Sequence, residues 1–305
     1  EGAEAIVKVE ETERHGDQVN IFEAADDGDF IRKKGEAIRT GDLILKKGIR
    51  IRPADIAMIA SIGRSVVPVY QQPRVAILST GDELAELDEP RGPNKILNSN
   101  GYGVAAQVIE AGGIPITLGI AKDTREDLDK KLRGGFHADF LIVSGGVSMG
   151  DYDFVQEVLM ELGAEMKFWK VAMKPGQPLA FGVIAGKPAF GLPGNPVSAM
   201  VSFEQFVRPA LLMAAGRTDV FRPIIQATLE EEVRKHPGRR HFMRAIVSVQ
   251  NGEYRVRTTG NQDSHILFSL VKANALMILS EEGDRVKAGE KVPVQLLSDL
   301  SVEKN

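Results

Sequence analysis

Between residues 74 and 217, short continuous apolar runs alternate with segments whose apolar residues recur at helical spacing. Val75-Ala-Ile-Leu78 and Phe140-Leu-Ile-Val143 contain no polar position, which is the pattern of strands covered on both faces in a parallel sheet. Ile114–Leu118 reads as a further strand, and Phe190-Gly-Leu192 as the run that leads into the last helix. From about Asn100, Val104, Ala105, Val108 and Ile109 mark one side of a helix that Gly112-Gly113 ends. Thr124-Arg-Glu-Asp127 has the form of an N-terminal cap ahead of Leu128 and Leu132. Two more helices are predicted, over Asp153–Leu162 with Val155, Val158, Leu159 and Leu162 inward, and from about Pro196 to Ala215.

The flanks have another rhythm. Before residue 73, β-like runs at Ala5–Val9, Val19–Phe22, Leu43–Leu45 and Val66–Tyr70 are broken by acidic and glycine turns. A short helix is predicted between Pro53 and Gly63, with Ile56, Ile59 and Ala60 on one face. Past Gly216, β-like runs at Ile224–Leu229, Phe242–Val249, Tyr254–Thr259, Leu276–Leu279 and Val292–Leu297 alternate with polar turns. The expected fold class is α/β: a central three-layer domain with a mostly parallel sheet over 73–217. A small β-rich remnant of N-terminal linking domains (1–72) and a C-terminal all-β domain (218–305) flank it.

Composition narrows the function. With 305 residues, 43% hydrophobic and 26% charged, the chain has enough apolar surface for two or three cores. A net charge of −4 supplies no global basic field for nucleic acid or an anionic membrane, so any anion site must be local. No apolar run approaches the roughly 20 residues of a membrane span. The absence of cysteine excludes disulfides, thiolate nucleophiles and cysteine metal sites, and suits a reducing compartment; a cytoplasmic location is expected. The five histidines show no ligand spacing, so no zinc site is expected.

Four loops that follow strands carry the chemistry. Ser79-Thr-Gly-Asp-Glu83 sets two hydroxyls, Gly81 and the carboxylates of Asp82 and Glu83 directly after an apolar run. Ser144-Gly-Gly-Val-Ser-Met-Gly150, followed by Asp153, offers Gly145, Gly146 and the Ser148 hydroxyl; residues without a β-carbon admit close approach of an anion to successive N–H groups. Lys170 and Lys174 stand four residues apart, on one side of the chain if it is extended there. Pro193-Gly-Asn-Pro196 opens the long helix, whose N-terminal N–H groups favour an anion. Asp82, Glu83, Asp123 and Asp153 fall at carboxyl ends of strands, the edge at which open α/β sheets bind ligands. Hard oxygen donors beside a phosphate suit Mg²⁺. Each feature also has a plain structural reading: a tight turn for the glycines, a cap for Asp82, Glu83, Asp123 and Thr124, and solvated charge for Lys170, Lys174, Arg32-Lys-Lys34 and Arg239-Arg240.

These motifs, together and in this order, resemble the molybdopterin molybdenumtransferases, the MoeA-type family that includes the gephyrin E domain. The similarity runs the whole chain, including Thr258-Thr-Gly-Asn-Gln-Asp-Ser264. The resemblance implies Mg²⁺-assisted insertion of molybdate into adenylylated molybdopterin with release of AMP. It implies that Glu83, Asp82, Asp123, Lys170 and Lys174 act in catalysis and that Glu83, Asp123 and Asp153 hold the metal. It further implies that Ser79, Thr80, Gly81, Gly145, Gly146, Ser148, Pro193, Gly194, Asn195 and Pro196 bind the cofactor precursor. Arg32, Arg244 and Ser264 are weaker correspondences. A homodimer is implied, with the molybdopterin adenylyltransferase as a further partner.

Two departures stand out. Gly35-Glu36-Ala37 has Ala37 and Ile96-Leu-Asn98 has Asn98 where the family usually carries Asp, so negative charge is reduced at both. The chain begins at Glu1 rather than Met, and family members extend upstream, which implies a missing N-terminal segment with further site residues. Two other readings stay open: the adenylyltransferase itself, whose similarity is confined to the central domain, and a non-catalytic scaffold module of the same fold. Whether tungstate replaces molybdate is not legible in the residues.

Overall fold

The computed structural model describes residues 2–89, 92–146 and 154–298. The chain divides into two compact units, residues 1–67 and 68–305. In the first, β1 (Thr12–His15) and β2 (Gln18–Ile21) form an antiparallel hairpin, and α1 (Pro53–Ser61) begins at its proline. The Arg52 backbone N–H donates to the Asp55 carboxylate at 2.8 Å, closing the first turn. Three expected strands are absent here and at the junction. Ala5–Val9 runs into a 3-10 turn, and Leu43–Leu45 and Val66–Tyr70 are irregular, because none of these apolar runs finds a ladder partner. In α1 only Ile59 is buried, while Ile56 and Ala60 are exposed.

The second unit is built on a six-stranded sheet of β3 (Arg74–Thr80), β6 (Ile114–Ala121), β7 (Phe140–Ser144), β8 (Glu165–Phe168), β10 (Ala180–Ile184) and β11 (Lys187–Leu192), in the order β6-β3-β7-β11-β10-β8. The first four are mutually parallel; β10 and β8 add antiparallel strands. A small parallel pair, β4 (Leu84–Ala85) and β5 (Ile96–Leu97), follows β3. The apolar runs are explained by period-two alternation between two cores. Val75, Ile77, Phe140, Ile142, Phe190 and Leu192 pack with Val104 and Val108 of α2 (Ser99–Glu110) and Ala199 of α5 (Pro196–Ser202). Ala76, Leu78, Leu141, Val143 and Ala189 pack with Leu128 and Leu132 of α3 (Arg125–Gly134) and Val155, Val158 and Leu159 of α4 (Val155–Glu161). Ile109, expected inward on α2, is exposed. The long last helix is interrupted: α5 passes through a π-helical segment, Phe203–Val207, into α6 (Arg208–Ala214).

The C-terminal residues form a second six-stranded sheet, β15-β12-β18-β16-β14-β9, with β15 also paired to β14. Its members are β9 (Met173–Lys174), β12 (Ile224–Leu229), β14 (Arg240–Gln250), β15 (Glu253–Thr258), β16 (Ala275–Leu279) and β18 (Lys291–Leu296). A two-stranded ribbon, β13 (Val233–Arg234) with β17 (Arg285–Val286), and α7 (Phe268–Lys272) complete this region. The strand β9 comes from the middle of the central sequence yet pairs in parallel with Arg240 and His241 of β14, so the segment carrying Lys174 is stitched into the C-terminal sheet.

Two buried polar groups stabilise this unit, and the first ties the helices of the central domain to the C-terminal sheet. Glu204, 6% exposed in the π-helical segment, accepts from Arg222 Nε at 2.8 Å, and Arg222 also donates to the Leu297 carbonyl and to Glu110. Removing one member of a buried ion pair leaves its partner uncompensated. Glu204→Ala should therefore lower unfolding free energy by about 3–5 kcal/mol in denaturant titrations; a change below about 1 kcal/mol would show that the pair does not hold the sheets together. His241, 2% exposed on β14, donates Nε2–H to the His236 carbonyl at 3.0 Å. Burial first, and then the nearby charges of Lys174, Lys235 and Arg239, hold its pKa below the ordinary 6.5, against the opposing bond to His236. The unfolded chain thus binds a proton that the folded chain refuses, and stability should fall as pH drops below 6.5. His241→Gln, which keeps a donor but does not titrate, should flatten the slope of stability below pH 6.5; an unchanged slope would assign it to other groups.

Candidate functional site

Register places the loops. Ser79 of β3 pairs with Ser144 of β7, Ser144 with Leu192 of β11, and Thr80 with Ala121 of β6, so four loops leave the sheet at one level. Between these loops and the C-terminal sheet lies a cavity of about 890 Å³. Among its lining residues are Ser79, Thr80, Gly81, Glu83, Asp123, Gly145, Gly146, Lys174, Pro193, Gly194, Asn195 and Pro196, which the sequence had nominated. Ser148 and Asp153 lie outside the described residues.

The acidic wall is built by a reciprocal clasp. The Asp82 N–H donates to Asp123 Oδ2 at 3.1 Å, and the Asp123 N–H donates to Asp82 Oδ1 at 3.3 Å. Asp82 is therefore a brace between two loops, and it does not line the cavity, whereas Asp123 and Glu83 do. The cap that starts α3 is Thr124, whose hydroxyl accepts from the Asp127 N–H. The Glu83 carboxylate folds back over Gly81: a β-carbon there would stand 2.5 Å from Glu83 Oε2, and Gly81 has φ +145°. The positive φ is what favours glycine there, since the Glu83 carboxylate is the end of a flexible side chain. Among the described residues no three His, Asp or Glu side chains converge as a metal-binding cluster. Two carboxylates in a cavity that admits a phosphate nonetheless suit Mg²⁺, which takes one or two protein carboxylates and completes its shell with phosphate oxygens and water.

The glycine loop acts by closeness. A β-carbon on Gly145 would fall 2.6 Å from the Thr80 carbonyl, and one on Gly146 would fall 2.6 Å from Val155 Cγ2 and 2.9 Å from Thr80 Oγ1, with φ of +96° and +62°. The Gly145 N–H itself donates to the Leu192 carbonyl at 3.0 Å. It therefore serves the sheet, which corrects the expectation that it faces an anion. Ser79 is likewise committed, its hydroxyl donating to Asn98 Oδ1 at 2.8 Å. Thr80 Oγ1, in a residue only 4% exposed, has no hydrogen-bond partner.

Asn98 explains one departure from the family pattern. Its Oδ1 accepts from both Ser79 Oγ and the Gly101 N–H, capping α2, and its Nδ2 reaches Glu86 Oε1 at 3.5 Å. An aspartate there could cap the helix but would face the Glu86 carboxylate with like charge. Ala37 belongs to the first unit and is exposed.

The basic wall comes from the C-terminal sheet. Lys174, on β9, lines the cavity; Lys170 does not. The expectation of two lysines on one face of a strand fails because only Met173–Lys174 is extended, and that pair follows the C-terminal ladder. The C-terminal sheet adds Arg239, Gln262, Asp263, Ser264 and His265, and the Ser264 carbonyl accepts from the Val197 N–H at the start of α5. Arg239, read from sequence as a solvated turn, donates to Gln177 Oε1 at 2.8 Å across the wall. A second cavity of about 580 Å³ shares Lys174, Pro175 and Gln262 with the first. Arg244 lines it, 1% exposed, donating to Ser269 Oγ and the Asp263 carbonyl. Burial lowers its pKa to about 10, opposed by the Asp263 charge, so it remains a cation at neutral pH. Sequence reasoning missed Asn100, Gln177, Arg239 and Gln262 because only long-range pairing brings them to this wall.

Comparisons with known proteins agree along the chain. Residues 1–63 match the MoeA N-terminal region (domain I and II), residues 76–213 the family described as a probable molybdopterin binding domain, and residues 226–297 the MoeA C-terminal region (domain IV). Molybdopterin molybdenumtransferase 2 of Mycobacterium tuberculosis is 40% identical over 299 residues, covering 96% of this chain and 73% of the relative. The molybdopterin molybdenumtransferase of Haemophilus influenzae is 34% identical over 304 residues, covering 98% and 75%. The crystal structure of the molybdopterin biosynthesis moeA protein from Pyrococcus horikosii superposes with a TM-score of 0.79 at 31% identity, covering 97% of this chain and 72% of that one. With three consecutive regions matched and two relatives above 30% identity over most of their length, the chain belongs to the MoeA family of molybdopterin molybdenumtransferases, enzymes of molybdenum cofactor biosynthesis.

Proposed function

We propose that this chain inserts molybdate into adenylylated molybdopterin in a Mg²⁺-assisted reaction that releases AMP. The observation that carries the reading is that two carboxylates, a glycine loop without room for β-carbons, and a lysine line one cavity between two sheets. Gly146 brings the backbone close to a phosphate while Gly145 ties the loop to the sheet, and Pro193 to Pro196 shape the adjacent lip. Lys174 and Arg239 attract the anionic substrate, and Arg244 and Lys174 together favour the molybdate dianion where the two cavities meet. Lys170 has no part in this wall. Glu83 and Asp123, joined by Asp153, are the residues that would hold Mg²⁺, with Asp82 fixing Asp123. Bound there, the ion would neutralise charge on the leaving adenylate.

The adenylyltransferase reading is less favoured, because a central domain alone would lack the wall supplied by Arg239 and Gln262–His265. We extend the proposal to a three-layer central domain within a cytoplasmic homodimer that receives its substrate from the adenylyltransferase. The two helix-covered faces of the central sheet support the layering, the lack of cysteine suits a reducing compartment, and family membership supports the assembly. No helix among the described residues is long and apolar enough to cross a membrane.

Glu83→Gln tests the assignment of the acidic wall. It should slow AMP release from adenylylated molybdopterin by about 10²–10³-fold, while AMP affinity measured by calorimetry changes by less than about threefold. An unaltered rate would remove Glu83 from the mechanism.

A further inference from the structure

Asn100, in the first turn of α2, lines the cavity and carries a buried acceptor without a partner. Its Nδ2 donates twice, to the Gly194 carbonyl at 2.8 Å and to Ser144 Oγ at 3.1 Å. These bonds fix the amide, since turning it over would set Oδ1 against the Gly194 carbonyl oxygen and leave the amino group without either acceptor. Oδ1 is then buried with no hydrogen-bond partner, in a side chain that lines the cavity. Thr80 Oγ1, in the same wall, is also buried without a partner, and Thr80 is 4% exposed. Buried polar atoms are nearly always satisfied by protein, water or ligand, so an orphan in a cavity-lining side chain is a place where a ligand can supply the missing group.

The chemistry of that group follows. An amide oxygen repels phosphate and molybdate oxygens and accepts only from a hydroxyl or an N–H. Asn100 is bonded to Ser144, the residue before Gly145, and to Gly194, so the acceptor sits beside the glycine loop that approaches the phosphate. In an adenylate the ribose hydroxyls are the donors covalently nearest the 5′-phosphate, whereas the amino group lies at the far end of the base. We propose that Asn100 Oδ1 accepts a hydrogen bond from a ribose hydroxyl of the adenylate and thereby selects ribonucleotide over deoxyribonucleotide. This rests on the reading that adenylate occupies this cavity.

Calorimetric titration of the wild-type protein with AMP, 2′-deoxy-AMP and 3′-deoxy-AMP tests it without any variant. One deoxy probe should bind about tenfold more weakly than AMP, the scale of a lost hydrogen bond that leaves a buried acceptor unpaired. Asn100→Ala, checked for folding by thermal unfolding, should weaken AMP and bind all three probes alike. If AMP binds and both deoxy probes bind equally well to the wild type, the inference is overturned while the proposed function stands. Discrimination that persists in a folded Asn100→Ala overturns it as well. Absence of AMP binding would instead contradict the proposed function, and the inference with it.

Discussion

The in-register parallel pairing of β3, β7 and β11 is the constraint on which the site depends. It aligns Ser79, Ser144 and Leu192 across three neighbouring strands, so the acidic loop, the glycine loop and the proline loop emerge side by side. Parallel strands buried on both faces need apolar residues at every position, and that is why the runs before these loops are continuous. A register slip of one residue would exchange the two cores and separate the loops at once. Hydrogen bonds then lock the edge: backbone to backbone from Gly145 to Leu192, and through side chains between Asp82 and Asp123 and from Asn100 to Gly194.

Charge is distributed so that opposite signs face each other across the cavity. Carboxylates come from the loops after β3 and β6, while cations come from β9 and the C-terminal sheet. Because β9 is a strand of the C-terminal sheet, Lys174 is held by one ladder and faces loops held by another. The Glu204–Arg222 pair keeps the two sheets apposed. Fixed charges held in this way need little rearrangement as substrate charge develops, which is the economical arrangement for an anion-handling site.

Much of this was legible in the residues, and the failures share a cause. The buried strands, the cap at Thr124 and the C-terminal β runs follow from local pattern and were read correctly. Ala5–Val9 and Val66–Tyr70 have strand composition but no ladder partner, which no local pattern reveals. Lys170 and Lys174 looked equivalent until a two-residue strand joined another sheet and took only Lys174 with it. Asp82 and Asp123 are 41 residues apart, and their reciprocal bonds turn one expected ligand into a brace. Arg239 has the composition of a solvated turn, yet pairing of Arg240 with Met173 brings its neighbour to the cavity. Asn98 and Asn100 both line the cavity, and only the fold shows that the Asn98 oxygen is spent on a cap while that of Asn100 has no partner.

The central claim is that one cavity couples the adenylate to molybdate. Single-turnover release of AMP from adenylylated molybdopterin, followed with molybdate and Mg²⁺ each present or omitted, tests it most directly. The account predicts rapid release only when both are present, with molybdenum retained on the product. Release at the same rate without molybdate would contradict it and describe a hydrolase instead.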